Sequence, residues 1–454
     1  MPYETNAGTF EKASRLGHSE AALRAMADKR EFFVPLDDLV DASWVADRII
    51  DRPRADPHAP RLESAIAIDG SHVTHAIRDG MPSVVYGFAQ AAAAYVDLNA
   101  MEQQRNVRFT DPKAIADAVN SSLISLDLPV AGAYSRAGVD IRTSWRELVD
   151  AIFRDKRVEV NGLNETLMQL LFRLHGTPDV AATTLPVNCP NPDCTATDIA
   201  VPDAGLDCPA CWVTRLYPSD TMRLHESVVE DGPNATGLGR MRSVVELLVL
   251  VGLTTLLWKQ SRSTHLQTTL FIMDGPLAMY GEPAKLRARA QTYFQAMSAT
   301  TPGVGPYICG IEKSGAMVDF AAQVAAHDIL EPGQLLICDA EILKRVTNTN
   351  DPAQYGKETY WGRKFVYRCT DGRVIVPTVM ADSGDAYSTG GGQPGPDNYE
   401  TLGAILDVID RTGSSMYRNG VIPVAAAHGR AAFPIGVGTD VLKLVAEKKL
   451  GFSR

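Results

Sequence analysis

Two short runs set what this chain can fold into. "SAIAIDGSH" at 64–72 and "TLFIMDGPLAMYGEP" at 269–283 are each strongly apolar up to an aspartate, Asp69 or Asp274, that a glycine follows. Runs of this length and composition read as buried strands. Downstream, 241–259, 284–298 and 316–328 have helical apolar spacing, and 268–274 and 306–312 read as strands. "QLLICDAEIL" leads into a hairpin with the turn "TDG" in "KFVYRCTDGRVIVPTVM", and helices close the chain. Strands alternating with helices across 63–454 give an α/β class with a mixed sheet.

The rest of the chain is read from local pattern. "SVVYGFAQAAAAYVDL" at 83–98 reads as a strand, although its alanines favour helix. Residues 112–176 read as mostly helical, through "PKAIADAVNSSLISL", "TSWRELVDAIFRDKR" and "ETLMQLLFRLHG". Residues 1–62 read as a charged helical extension ending in the linker "DRPRADPHAP", and the Gly-rich tract at 382–398 as a flexible loop.

A length of 454 residues suggests two or three folding units. A formal charge of −10 argues against a protein that coats nucleic acid over its whole surface, and leaves a local basic channel open. The polar N-terminus carries no apolar signal core. "VVELLVLVGLTTLLW" at 244–258 is short for a membrane span and contains Glu246, so it reads as a buried helix of a soluble protein, not a membrane segment.

A single Asp-Gly pair is ordinary turn chemistry. Two of them, each closing a buried strand, pose an energetic problem, because an unpaired buried carboxylate is costly. A divalent ion answers it, and Mg²⁺ or Mn²⁺ prefers oxygen ligands. Glu246, on the otherwise apolar helix "RSVVELLVLVGL", is the candidate third acid; its plainer reading is a glutamate favoured near a helix start. His428, in "VIPVAAAHGRAAF", is the candidate fourth member, as metal ligand or water-orienting group; its plainer reading is a satisfied core histidine.

The cysteines carry a second signal. "CPNPDC" (Cys189, Cys194) and "CPAC" (Cys208, Cys211) are two short-spaced pairs, the pattern of a structural zinc ribbon with four cysteines around a tetrahedral ion. Cys309, Cys338 and Cys369 stand singly in apolar runs, which fits a reducing cytoplasm better than a disulfide framework.

Taken in order, "AIDGSH", "RMRSVVELL", "TLFIMDGPL", "GIEKSG" and "IPVAAAHGRAAF" resemble the signature blocks of the NurA nuclease family, over residues 63–112 and 238–454. The resemblance implies an RNase H-like fold: a mixed sheet flanked by helices, here with a helical insertion and a small zinc ribbon. It also implies Mn²⁺- or Mg²⁺-dependent cleavage of DNA, a homodimer, and a HerA-like hexameric ATPase as partner. Carried over residue by residue, it puts Asp69, Glu246, Asp274 and His428 in the metal site and Lys313 beside it. The stretch from Glu246 to Asp274 is longer than usual for the family, which leaves Glu226 and Glu230 as substitutes for the third acid.

On that reading two ions about 4 Å apart activate a water and stabilise the leaving oxygen. Arg240, Arg242, Arg287, Arg289, Lys313, Arg363 and Lys364 are candidate DNA contacts, each with a solvated-face alternative. The implied organisation is an extension over 1–62, the first part of the core with its insertion over 63–185, the ribbon over 186–215, and the remaining core over 216–454. The ribbon departs from the simplest proteins of the family. With Arg215 its nearest basic residue, it favours a protein contact over phosphate. DNA end processing and defence against phage both fit. The competing classes are a non-catalytic scaffold subunit of a translocase complex and a metal-dependent RNase or resolvase.

Overall fold

The computed structural model describes residues 42–78, 84–105, 119–160, 163–230, 232–261, 264–301, 303, 305–347, 359–381, 398–413, 420–433 and 437–449. Contacts divide the chain into Met1–Asp41 and Ala42–Arg454. The first unit lies outside the described residues, as do 382–397, which include nearly all of the expected loop. The extension read over 1–62 is therefore only partly described. Its final part enters the sheet, because β1 (Ile49–Asp51) pairs antiparallel with a strand near residue 335.

The strands in chain order are β2 (Ser64–Arg78), β3 (Val84–Asp97), β4 (Val119–Ala131), β5 (Arg157–Val160), β6 (Leu163–Thr166), β7 (Thr184–Val187), β8 (Ile199–Pro202), β9 (Leu206–Asp207) and β10 (Arg215–Leu216). They continue with β11 (Thr269–Asp274), β12 (Tyr307–Glu312), β13 (Gln334–Ile337), β14 (Arg363–Arg368) and β15 (Val374–Val379). Among the described residues one nine-stranded sheet has the order β1-β13-β14-β15-β12-β11-β2-β3-β4. Its central five strands are the RNase H-like arrangement: β2, β3 and β4 form an antiparallel meander, and β11 and β12 follow in parallel on the other side of β2.

Helices cover both faces. On one side pack α1 (Ile141–Asp155), α2 (Leu167–Leu174), α3 (Ala235–Ser261) and α4 (Leu286–Thr300), around Phe271, Trp145 and Trp258. After α5 (Ala316–Ala326), the other side is closed by α6 (Leu402–Arg411) and α7 (Ile422–Ala431), around Leu270, Ile272 and Tyr367. From Val244 to Trp258 helix α3 is apolar but for Glu246, Thr254 and Thr255, and it lies between the sheet and the α1–α2 pair, with Val244, Val245, Leu248 and Val251 fully enclosed. Each of those side chains contributes about 1.5–3 kcal/mol through burial. α3 is long and apolar enough to cross a membrane, but 78% of its apolar window is buried inside the protein.

The structure corrects the reading of 112–176 at its start. Residues 111–118 lie outside the described set, and Val119–Ala131 is strand β4, paired along β3. Its apolar residues at 124, 126, 128 and 130 are buried while Leu123 is 53% exposed, which is period two rather than helical spacing. β3 is a strand despite its alanines. Pairing on both edges overrides helix propensity, and the small side chains let helices approach from both faces.

Candidate functional site

β2 and β11 run side by side from Ser64 beside Thr269 to Ile68 beside Met273, so Asp69 and Asp274 are the next residue on each strand. Side chains alternate faces along both strands. Ile66, Ile68, Phe271 and Met273 enter the α3 layer, whereas Ala65, Ala67, Leu270 and Ile272 enter the α6–α7 layer. Both aspartates consequently point toward α7.

That helix supplies His428. Its Nδ1 lies 2.7 Å from Asp69 Oδ2 and 3.9 Å from Asp274 Oδ2. One ligand atom from each of the three falls within 4.8 Å of the others. Ser71 and Gln90, cross-strand neighbours on β2 and β3, hold α7 in place: both donate to the carbonyl of Ala431 in its last turn, Gln90 Nε2 at 2.6 Å. Sequence reasoning missed both positioning residues. Ser71 had a signal, since it lies two residues beyond Asp69 on the same strand face.

Asp69 does not end its strand as expected. β2 continues past it to Arg78, and Gly70 is part of the β ladder. The glycine is a clearance. A Cβ there would overlap Glu246 Oε1 and come within 2.8 Å of the Gln90 carbonyl oxygen. Glu246, on α3, thus approaches from the opposite face of the sheet, through the gap where Gly70 has no side chain. At Asp274 the strand does end, and Gly275 takes φ +103° as the chain turns away.

Glu246 is 7% exposed and its Oε1 lies 3.4 Å from Arg242 Nε. Burial pushes its carboxyl up to about 7, against the pull of Arg242 and with the added repulsion of Asp69 and Asp274. Burial and the charge of Asp69 likewise push Asp274 up to about 6, although Lys313 Nζ sits 2.7 Å from its Oδ2. Glu246 stands outside the three-ligand group yet feels both aspartates. The other two glutamates are engaged elsewhere: Glu226 pairs with Arg223 at 2.6 Å, and Glu230 accepts from Tyr134 Oη at 2.6 Å.

Asp274 and Glu246, both with raised pKa values, stand with Asp69 around a largely buried anionic pocket that a cation would relieve. Oxygen donors suit Mn²⁺ or Mg²⁺, and the imidazole tilts the set toward Mn²⁺.

The candidate DNA cations are largely occupied. Lys313 is bound to Asp274, Arg240 pairs with Glu282, and Arg242 Nη1 donates to the Gly70 carbonyl at 2.8 Å. Arg363 and Lys364, expected on a hairpin face, are each 3% exposed, and Lys364 Nζ lies 2.5 Å from Glu312 Oε1. Burial within the sheet removes both from contact with a nucleic acid.

The ribbon is built from two small hairpins, β7–β8 and β9–β10, around Val187, Val201, Cys208 and Leu216. Its cysteines form no disulfide. The Sγ atoms of Cys189 and Cys211 are 3.9 Å apart and those of Cys194 and Cys208 3.8 Å apart. Tetrahedral zinc with bonds of about 2.3 Å puts sulfurs about 3.8 Å apart, so the cluster fits the ion. The Val213 amide and the Thr214 hydroxyl hold the Cys211 thiol down to about 6, favouring the thiolate that binds metal.

No family model matches the sequence, and no curated protein matches it. Among solved structures, the NurA nuclease from Sulfolobus solfataricus is similar at a TM-score of 0.34 and 10% identity, covering 97% of each chain. NurA with manganese matches at 0.31 and 10% identity, over 96% of this chain and 98% of that one. NurA bound to dAMP and manganese matches at 0.30 and 10% identity, over 98% of both. Likeness at that level assigns no residue or activity to this chain.

Proposed function

We propose that the chain is a divalent-metal-dependent DNA nuclease of the NurA type that hydrolyses phosphodiester bonds. The observation that carries this reading is the convergence of Asp69, Asp274 and His428 within 4.8 Å, at the end of the central parallel strand pair of an RNase H-like sheet. Asp69, Asp274 and His428 would hold Mn²⁺ or Mg²⁺, with Glu246 beside them. When bound, such an ion supplies a Lewis acid that lowers the pKa of a water and offsets phosphate charge.

The chain's own residues do the remainder. Glu246, ionising near pH 7, is suited to hold or release a proton at its carboxylate under neutral conditions. Lys313 places an ammonium at the mouth of the site, where a phosphate would compete with Asp274 for it. Ser71 and Gln90 fix the helix that presents His428. A second ion with Glu246 completing the cage, a homodimer, a HerA-type ATPase that feeds in the strand, cytoplasmic location, and a role in end processing or phage defence belong to the same proposal. The ribbon zinc is proposed as structural.

The test is cleavage of single- and double-stranded DNA with Mn²⁺ or Mg²⁺, comparing the full chain with Asp274→Ala, with and without a HerA-type ATPase, alongside calorimetric Mn²⁺ titration. Loss of a ligand lowers affinity by at least about a hundredfold and abolishes cleavage. Cleavage that survives Asp274→Ala refutes the reading. A stable ATPase complex with no cleavage under any condition assigns the chain to scaffolding.

A further inference from the structure

Beyond Asp274 the chain carries an exposed aromatic that no buried contact explains. Tyr280 is 51% exposed, in a short segment between β11 and α4. It is nevertheless held firmly. Its hydroxyl donates to Tyr360 Oη at 2.8 Å, and the two rings meet edge to face at 5.8 Å and 84°. Tyr360 lies under the Lys364 ammonium, 4.8 Å from the ring centre, and Lys364 is paired with buried Glu312. The backbone is pinned as well, by Met279 N to the Thr359 carbonyl at 2.8 Å and by Trp361 N to the Leu277 carbonyl at 2.9 Å. A fixed, half-exposed ring is preorganised for a flat partner.

Side-chain pairs and chain adjacency link it to the metal pocket. Glu312, which anchors the buttress, immediately precedes Lys313, the partner of Asp274. On the other flank Glu282 pairs with Arg240, which lies on α3 about 9 Å along the axis from Glu246. Past Glu282 opens a cleft of about 650 Å³ between the first ribbon hairpin and the start of α4, lined in part by Asn188, Lys285, Arg287 and Arg289. Lys285 and Arg289 are exposed, and among the described residues neither forms an ion pair. Of the acids lining the cleft, Asp220 is bound to Arg146 and Glu282 to Arg240, which leaves Asp198. Tyr280 adjoins this cleft through the next residue, Gly281, which lines it, and in a chain of formal charge −10 Lys285 and Arg289 make a local reversal of sign there.

We propose that Tyr280 is a stacking platform for an unpaired base of a single-stranded nucleic acid whose backbone follows Lys285 and Arg289 along the cleft that begins at the neighbouring Gly281. An aromatic surface joined to a cationic groove is how sequence-tolerant single-strand binding is built, and a base already stacked in a duplex has no free face to offer. The inference rests on the nuclease reading and names the form of nucleic acid that the site takes.

The experiment uses the full chain and a fluorescein-labelled oligothymidylate of about 20 nucleotides, long enough for common single-strand site sizes. Anisotropy without added Mn²⁺ or Mg²⁺, and without a chelator so that the ribbon zinc stays in place, is measured for wild type, Tyr280→Ala, Tyr280→Trp and Arg289→Glu, against the same length of duplex. Tyr280→Ala is expected to weaken single-strand binding about tenfold, with little effect on duplex, and Tyr280→Trp to restore it. Arg289→Glu weakens binding and flattens its salt dependence. In Mn²⁺, Tyr280→Ala raises KM with kcat little changed. Unaltered melting temperatures show that the variants fold. If wild type binds and cleaves while Tyr280→Ala and Arg289→Glu match it, this inference fails and the nuclease reading stands. Equal losses on single strand and duplex refute stacking. If wild type neither binds nor cleaves any nucleic acid, the nuclease reading itself fails.

Discussion

Replacing Glu246 by glutamine tests the electrostatics of the pocket most directly. The substitution keeps the shape of the side chain and removes its titration, while Arg242 retains its bond to the Gly70 carbonyl. In the folded protein Glu246 ionises near 7 instead of near 4.5, because it is buried and faces Asp69 and Asp274. The folded state therefore holds that proton more tightly than the unfolded chain does. The stability this contributes is fully present below about pH 4.5 and is lost as pH rises through about 7. A displacement of this size corresponds to about 3 kcal/mol. In EDTA, urea denaturation is expected to find Glu246→Gln more stable than wild type at pH 8 by about 2–3 kcal/mol, with the two proteins equal near pH 4. Mn²⁺ should reverse the order at pH 8, since it rewards an ionised carboxylate beside the aspartates and the glutamine offers none. Parallel pH profiles for the two proteins in EDTA, or a glutamine variant less stable than wild type at pH 8, would refute the account of Glu246 as a buried acid strained by its neighbours.

Three further outcomes follow from the same geometry. Gly70→Ala forces a Cβ into Glu246 and the Gln90 carbonyl, so thermal melting should show a loss of about 1–3 kcal/mol together with loss of cleavage. Because Asp274 ionises near 6, Mn²⁺ must displace a proton below that pH, and calorimetry should find affinity rising as pH goes from about 5 to about 7 and levelling above. Purified protein should carry about one zinc per chain, which Cys208→Ser removes, leaving the central sheet's circular dichroism in place because the ribbon has its own small core.

Much of the site's chemistry could be read from single residues. A carboxylate at the end of "TLFIMD", another in "AIAID", a glutamate inside an apolar helix and a histidine among alanines each break a local rule, and such breaks concentrate where function is. The two cysteine pairs announced a ribbon for the same reason: their spacing already fixes which sulfurs can meet. Local pattern failed where neighbours decide the outcome. Val119–Ala131 read as helix because its pairing with β3 is invisible in sequence. Arg363 and Lys364 read as surface because charge predicts exposure, yet Glu312 and Tyr360 make the interior tolerable for Lys364.

What the sequence determined by itself was the inventory: apolar strands, an apolar helix, four cysteines at ligand spacing, and a few acids with no apparent reason to be where they are. Tertiary structure decided how they meet. Parallel register puts Asp69 beside Asp274, face alternation turns both toward His428, and Gly70, which in sequence looked like half of a turn, opens the sheet so that Glu246 can reach the pocket from the far side. The reason is geometric: residue type and spacing along the chain set which groups are present, while register and the parity of each strand position set which face, and hence which partner, each group finds.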